Sequence, residues 1–210
     1  MEFNERELRK TGTTTAGIIC KDAVVLGAER KSTMGYLVAS KKAKKILKVD
    51  DHIAMTTAGL VGDAQALERI IKAELKLYKL QEERKAPVKA AAHLIANILY
   101  SRRFFPYYVQ LLIGGYDNKP RLFSFDASGA LQEEDEYFST GSGSPIALGV
   151  FEDKYKKNMS VEEGKKLVYS AIKSATKRDI ASGGSGIDIV VIDKNGYHEV
   201  SEKEMEKFDK

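Results

Sequence analysis

A threonine that directly follows a glycine, Thr13, lies near the start of an apolar stretch and could become a self-generated nucleophile. Hydrolysis of the Gly12–Thr13 bond would leave Thr13 with a side-chain hydroxyl and a free α-amine on the same residue. A hydroxyl is a weak nucleophile, and a tethered amine can act as the base that activates it. This junction therefore indicates covalent catalysis that begins only after the chain is cut.

Such a nucleophile needs three further groups around it. An α-amine has a reference pKa of about 7.7–8.0, and a buried cation nearby would lower that pKa and favour the neutral, basic form. The cation would also stabilise the threonine alkoxide, and a carboxylate beside it would keep it ionised and oriented. Backbone N–H groups must stabilise the tetrahedral oxyanion, and each contributes roughly 3–4 kcal/mol.

Other catalytic schemes find little support. The three histidines, His52, His93 and His198, are isolated and have no metal-ligand spacing. No G-x-S-x-G motif is present to hold a serine nucleophile. The glycine-rich runs 141–144 and 182–186 lack the Lys-Ser/Thr ending of a phosphate loop and are interpreted as turns. The sequence therefore predicts neither a metal nor a cofactor.

Composition indicates a single soluble domain. A chain of 210 residues can bury roughly 70% of its unfolded surface. The net charge of +4 is modest, so the lysine clusters are interpreted as solvated surface, and we expect no nucleic-acid partner. No apolar run is long enough to span a membrane. The leader lacks the apolar core of a secretory signal, and the one cysteine, Cys20, is expected to be a buried thiol, so the sequence predicts a cytoplasmic protein.

The spacing of apolar residues along the sequence predicts separate blocks of strands and helices. Short alternating runs predict strands over 14–20, 23–28, 46–49, 53–58, 107–114, 121–125, 137–140, 187–192 and 197–200. Helical spacing predicts helices over 63–83, 87–102 and 160–177. The last begins with the capping box Ser160-Val161-Glu162-Glu163. Because strands and helices occur in separate blocks, we expect an α+β fold in which helices cover the outer faces of antiparallel sheets.

Six motifs together resemble the β subunit of the archaeal 20S proteasome, in register over residues 8–200. They are Thr13–Ile18, Ala28–Arg30, Lys44–Ile46, Thr57–Ala64, Ser139–Pro145 and Lys177–Gly184. The resemblance implies the N-terminal-nucleophile hydrolase fold, a four-layer αββα sandwich of two antiparallel sheets flanked by helices. It also implies that residues 1–12 are a propeptide removed by autocatalysis and that residues 13–210 form one catalytic domain.

The same resemblance implies a role for each site residue. Thr13 would be the nucleophile, Lys45 the cation and Glu29 its carboxylate partner, at a position where many relatives have aspartate. The N–H of Gly59 would stabilise the oxyanion. Three further residues would hold the new N-terminus and the catalytic water: Ser142, Asp179 and Ser182.

By resemblance, the substrate would add as a strand between Thr33 and Gly59, through main-chain hydrogen bonds. The side chain before the cut, P1, would enter a pocket lined by Ser32, Ala43, Leu47, Thr57, Val61 and Gln65. None of these residues is charged, so the sequence predicts a preference for apolar P1 residues.

The resemblance further implies partners. Seven β subunits would form a ring, rings of α subunits would cap the stacked β rings, and an ATP-dependent unfoldase would supply unfolded polypeptides as substrate. Two alternatives remain open at this stage. One is a non-catalytic structural subunit of the same assembly, which would not need Gly12, Thr13, Glu29 and Lys45 together. The other is an amide hydrolase for small molecules, which would need a polar pocket.

Overall fold

The computed structural model describes residues 12–209, so the expected propeptide lies outside the described residues except for Gly12. The strands within this range are β1 (Thr15–Ile19), β2 (Ala23–Glu29), β3 (Ser32–Met34), β4 (Leu37–Ser40), β5 (Ile46–Asp50), β6 (Ile53–Gly59), β7 (Val109–Tyr116), β8 (Pro120–Phe125), β9 (Leu131–Glu134), β10 (Tyr137–Thr140), β11 (Ile187–Asp193) and β12 (Gly196–Glu199). The helices are α1 (Val61–Glu82), α2 (Val88–Ser101), α3 (Ser144–Lys154), α4 (Val161–Thr176) and α5 (Glu202–Met205), and a short 3-10 turn follows (Glu206–Asp209).

Two antiparallel five-stranded sheets make up the centre of the molecule. The first has the strand order β10-β1-β2-β11-β12, and the second has β5-β6-β7-β8-β9. The remaining strands, β3 and β4, pair only with each other and form a separate hairpin. All seven residues of β2 are buried, because this central strand is covered on both faces.

Alternate residues of β2 belong to two different hydrophobic cores. Val24, Leu26 and Ala28 belong to a cluster between the two sheets, together with Leu112 and Leu122 of the second sheet. Ala23 and Val25, which alternate with them, belong to a different cluster, between the first sheet and its helices. Successive side chains of a strand point to opposite faces, so β2 contributes to both cores at once.

Helices form the two outer layers. The apolar residues of α1 and α2 pack with the second sheet, and those of α3 and α4 pack with the first. This arrangement of helix, sheet, sheet and helix confirms the expected four-layer α+β sandwich. Within the described residues no helix is both long and apolar enough to cross a membrane.

Close contact between α4 and the first sheet depends on a small residue in β2. A Cβ on Gly27 would lie 2.4 Å from Cγ1 of Val168, so a larger residue would push the helix outward. Cys20 lies in the same layer and is 2% exposed. This confirms the expected buried thiol, and burial raises its pKa to about 12.

The capping box at the start of α4 is present as expected. The Glu163 N–H donates to Ser160 Oγ at 3.3 Å, and the Ser160 N–H donates to Glu163 Oε2 at 2.8 Å. Replacing Ser160 with alanine removes the first of these bonds from the helix end. We expect Ser160→Ala to lower the free energy of unfolding by about 1 kcal/mol, measured by urea denaturation.

The matched control is Ser170→Ala in the middle of the same helix, where alanine is a better helix former than serine. Equal destabilisation by the two substitutions would contradict a specific contribution of the cap.

Candidate active site

Thr13 lies two residues before the start of β1 in the first sheet and is 4% exposed. Its hydroxyl lies between two groups that bear on its chemistry. Oγ1 donates a hydrogen bond to the carbonyl oxygen of Gly12 at 2.6 Å and accepts one from Nζ of Lys45 at 2.9 Å. The threonine hydroxyl is therefore adjacent both to the bond expected to be cut and to a basic group.

Lys45 and Glu29 form a buried ion pair beside this hydroxyl. Lys45 is 7% exposed and Glu29 is fully buried, and Nζ of the lysine bonds Oε1 of the glutamate. The lysine also donates to the carbonyl oxygen of Lys31. Burial lowers the pKa of the Lys45 ammonium below that of an ordinary lysine, although attraction to Glu29 opposes this effect.

The Glu29 carboxylate is held by backbone as well as by Lys45. Its Oε1 accepts from the Thr14 N–H at 3.3 Å, and its Oε2 accepts from the N–H groups of Lys31 at 2.6 Å and Gly183 at 2.9 Å. A buried charge is tolerated only where it is paired and hydrogen-bonded. Glu29 meets this requirement with donors from well-separated parts of the chain.

A second network fixes the backbone of Thr13. The Thr13 N–H donates to Ser142 Oγ at 3.2 Å, and Ser142 in turn donates to Asp179 Oδ2 at 2.6 Å. Ser182 donates to the same carboxylate oxygen at 2.6 Å, and it also bonds the Thr14 hydroxyl at 2.6 Å. The structure therefore joins the three expected anchoring residues in one network, in which Ser142 is the member that contacts the nitrogen of Thr13.

Gly59 ends β6 and adopts a φ of +127°, a conformation that residues with a side chain rarely take. A Cβ at this position would lie 2.2 Å from the carbonyl oxygen of Tyr108. Only glycine fits this backbone, so the identity of the residue is set by the turn from β6 into α1.

A cavity of about 380 Å³ opens beside Thr13, Lys45 and Gly59. All of the expected substrate-contacting residues line it: Ser32, Thr33, Ala43, Leu47, Thr57, Val61 and Gln65. Ser40, Lys44, Ala64 and Glu68 line it as well, although the sequence did not predict them. Two of these additional residues are charged, so the lining is less uniformly neutral than the predicted set.

Sequence reasoning also missed two backbone groups of the site, the N–H groups of Lys31 and Gly183, which bind Glu29. Gly183 lies in the last of the six motifs, Lys177–Gly184, and Lys31 lies two residues after the expected carboxylate of Glu29. Side-chain types cannot reveal backbone donors, because every residue except proline has the same N–H.

Comparison with known protein families matches residues 9–192 to the family described as "Proteasome subunit". The chain belongs to the proteasome subunit family. Among individual relatives, it is 53% identical to a "Proteasome subunit beta" of Archaeoglobus profundus over 94% of this chain and 92% of that protein. It is 50% identical to the protein of the same name from Methanococcus aeolicus, over 94% and 91% of the two chains. It is 48% identical to "Proteasome subunit beta 2" of Aeropyrum pernix, over 94% and 89%.

These relatives confirm the resemblance to archaeal proteasome β subunits. The match runs from residue 9 to residue 192, within β11, and so covers every strand of the two sheets except β12 and the last residue of β11. It therefore includes every residue placed around Thr13 above.

The conformation of Gly59 generates a prediction about this turn. Gly59→Ala should lower the free energy of unfolding by about 1–3 kcal/mol because of backbone strain, and it should reduce peptide hydrolysis by moving the cavity wall. Urea denaturation measures the first effect and a fluorogenic peptide assay the second.

Gly62→Ala provides the matched control. Gly62 lies in the first turn of α1, and a Cβ there would meet nothing within 4 Å. Alanine should leave stability equal or raise it by up to about 1 kcal/mol. If Gly59→Ala were as well tolerated as Gly62→Ala, the backbone argument would be wrong.

Proposed function

We propose that this chain is a catalytic β subunit of a proteasome core and acts as a threonine endopeptidase after cutting its own Gly12–Thr13 bond. The observation that carries the proposal is the position of Thr13 Oγ1, 2.6 Å from the Gly12 carbonyl oxygen and 2.9 Å from Nζ of Lys45. Membership of the proteasome subunit family supports a peptidase, and the names of the relatives support the β type.

In the uncut chain, the nitrogen of Thr13 is an amide and cannot act as the base. Lys45 Nζ is within hydrogen-bond distance of the hydroxyl, and its lowered pKa makes the neutral amine more accessible than in an ordinary lysine. Oγ1 would attack the Gly12 carbonyl carbon, and the C–N bond would break as the nitrogen takes up a proton. This step frees the α-amine and leaves the Gly12 carbonyl as an ester on Oγ1. Water would then hydrolyse that ester, which frees the hydroxyl and releases Gly12 as a carboxylate.

After this cleavage the α-amine becomes the base that the sequence predicts. Its contact with Ser142, which Asp179 orients, would hold the amine beside the hydroxyl. Lys45, paired with Glu29, would stabilise the alkoxide, and the Gly59 N–H would stabilise the oxyanion of a bound peptide. Each peptide bond would be cut through an acyl-enzyme on Thr13, which water releases.

The alternative of a purely structural subunit is less well supported. Removing the Lys45 and Glu29 charges from water costs free energy, and a well-packed apolar pair of similar size often stabilises a fold as well or better. A buried ion pair whose lysine contacts a hydroxyl is therefore better explained by a catalytic role than by packing. Family membership argues against the third possibility, a hydrolase for small molecules.

The names of the relatives support assembly with other proteasome subunits. We include in the proposal heptameric rings of this chain, capping rings of α subunits, an ATP-dependent unfoldase that acts through them, and unfolded polypeptide as substrate, in the cytoplasm. Enclosure would confine a rather unspecific protease to chains that have been threaded inside.

Substitution of the nucleophile tests self-cleavage. Thr13→Ala removes the attacking hydroxyl, so the assembled protein should retain residues 1–12 and should lack peptidase activity. Thr13→Ser keeps a hydroxyl and should still be processed. Intact-mass spectrometry reads the result directly, because a processed wild-type chain begins at Thr13. Removal of the leader from Thr13→Ala in a purified, protease-free preparation would contradict the proposal.

The cavity lining predicts P1 preference. Ala43, Leu47, Val61 and Ala64 give the pocket an apolar wall, so peptides with leucine or phenylalanine before the cut should have a higher kcat/KM than the same peptides with glutamate or aspartate. A panel of fluorogenic peptides that differ only at P1 measures this order. Fastest cleavage after acidic residues would overturn the assignment of this cavity to P1.

A further inference from the structure

One wall of the cavity beside Thr13 is a single face of α1. Val61, Ala64, Gln65 and Glu68 line it, and their spacing of three, four and seven residues places them in one row along the helix. A helix rises about 1.5 Å per residue, so Glu68 lies ~10 Å further along the wall than Val61. Since α1 begins two residues after Gly59, the carboxylate lies at the end of the wall that is remote from the nucleophile.

The other two charged residues of the cavity lining are basic, and each lies beside a carboxylate of the protein. Lys45 is buried and paired with Glu29. Lys44 borders the cavity, but its Nζ lies 3.2 Å from Glu199, a residue that lines a different cavity, next to β12. Among the described residues that line this cavity, Glu68 is the acidic one, so it is the group that an incoming cation would meet.

The present partner of Glu68 is replaceable. Its Oε1 lies 2.6 Å from Nζ of Lys72, one helical turn further on, and the two side chains are 21% and 48% exposed respectively. Ion pairs of this kind at the surface contribute about 0–1 kcal/mol. A cation brought into the cavity by a substrate can therefore exchange with Lys72 at little cost.

From this arrangement we propose that Glu68 is a specificity-determining residue that lets the cavity accept lysine and arginine at P1, in addition to apolar residues. The aliphatic stem of a basic side chain would pack along Val61 and Ala64, while its charged end would reach the carboxylate. The same carboxylate repels acidic side chains. This inference rests on the proposed peptidase function and on the assignment of the cavity to P1.

The experiment compares two fluorogenic peptides that differ only in lysine or leucine at P1, with the assembled proteasome particle as enzyme. In Glu68→Gln, the ratio of kcat/KM for the lysine peptide to that for the leucine peptide should fall by roughly fivefold, since a partly exposed charge pair contributes up to about 1 kcal/mol. In Lys72→Gln, which frees the carboxylate, the ratio should rise. Added salt should lower the ratio in the wild type but not in Glu68→Gln, because salt screens the attraction.

Glu74→Gln is the matched control. Glu74 is an exposed residue of the same helix and lies outside the cavity lining, so the ratio should be unchanged. An unchanged ratio in Glu68→Gln, with the leucine peptide still cleaved in a Thr13-dependent manner, would overturn the role of Glu68 and leave the proposed function standing. Absence of Thr13-dependent cleavage of both peptides by the wild type would instead overturn the proposed function, and the inference with it.

Discussion

The buried pair of Lys45 and Glu29 is the interaction on which the rest of the site depends. Each charge alone would be very costly in a dry interior, and together they are stable only because hydrogen bonds complete the shell around them. The lysine is brought close enough to Thr13 to bond its hydroxyl. The position of the nucleophile, the orientation of the cation and the arrangement of surrounding loops therefore all follow from satisfying one carboxylate.

The sandwich explains why this pair can exist. Glu29 ends β2 of the first sheet, and Lys45 directly precedes β5 of the second, so the ion pair joins the two sheets at the ends of these strands. Nearby, the Thr15 hydroxyl bonds the Thr56 hydroxyl of the opposite sheet at 2.9 Å. Polar contacts between otherwise apolar layers fix the relative position of the sheets, because a small slip would leave buried groups unpaired.

Much of this architecture could be predicted from the sequence. Long periodic segments such as α1 and α4 were found because their apolar spacing is strong, and the sandwich followed from the order of blocks. The hairpin of β3 and β4 was missed because its exposed apolar residues do not alternate with a buried face. Helix α3 was missed because its start, Ser144-Pro145, is continuous with a glycine-rich run that reads as a turn.

The site likewise contains residues that could be predicted from the sequence and groups that could not. Thr13, Lys45 and Glu29 could be named in advance because their side chains carry the chemistry and the resemblance placed them. Glu68 could not, because its relation to the cavity depends on the direction in which α1 leaves Gly59, and that is a property of the folded chain. Backbone donors such as the Gly183 N–H are invisible to any argument from residue type.

The shell around Glu29 has a consequence for the order of events during synthesis. The donors to its carboxylate come from the segments around Thr14, Lys31, Lys45 and Gly183. Gly183 is 154 residues from Glu29 along the chain. Contacts so distant in sequence form late, because closing long loops is slow. The reactive arrangement at Thr13 therefore does not exist until the C-terminal part of the domain is in place. Cleavage at this junction would therefore report that the domain has finished folding, and an incompletely folded chain would lack the reactive nucleophile.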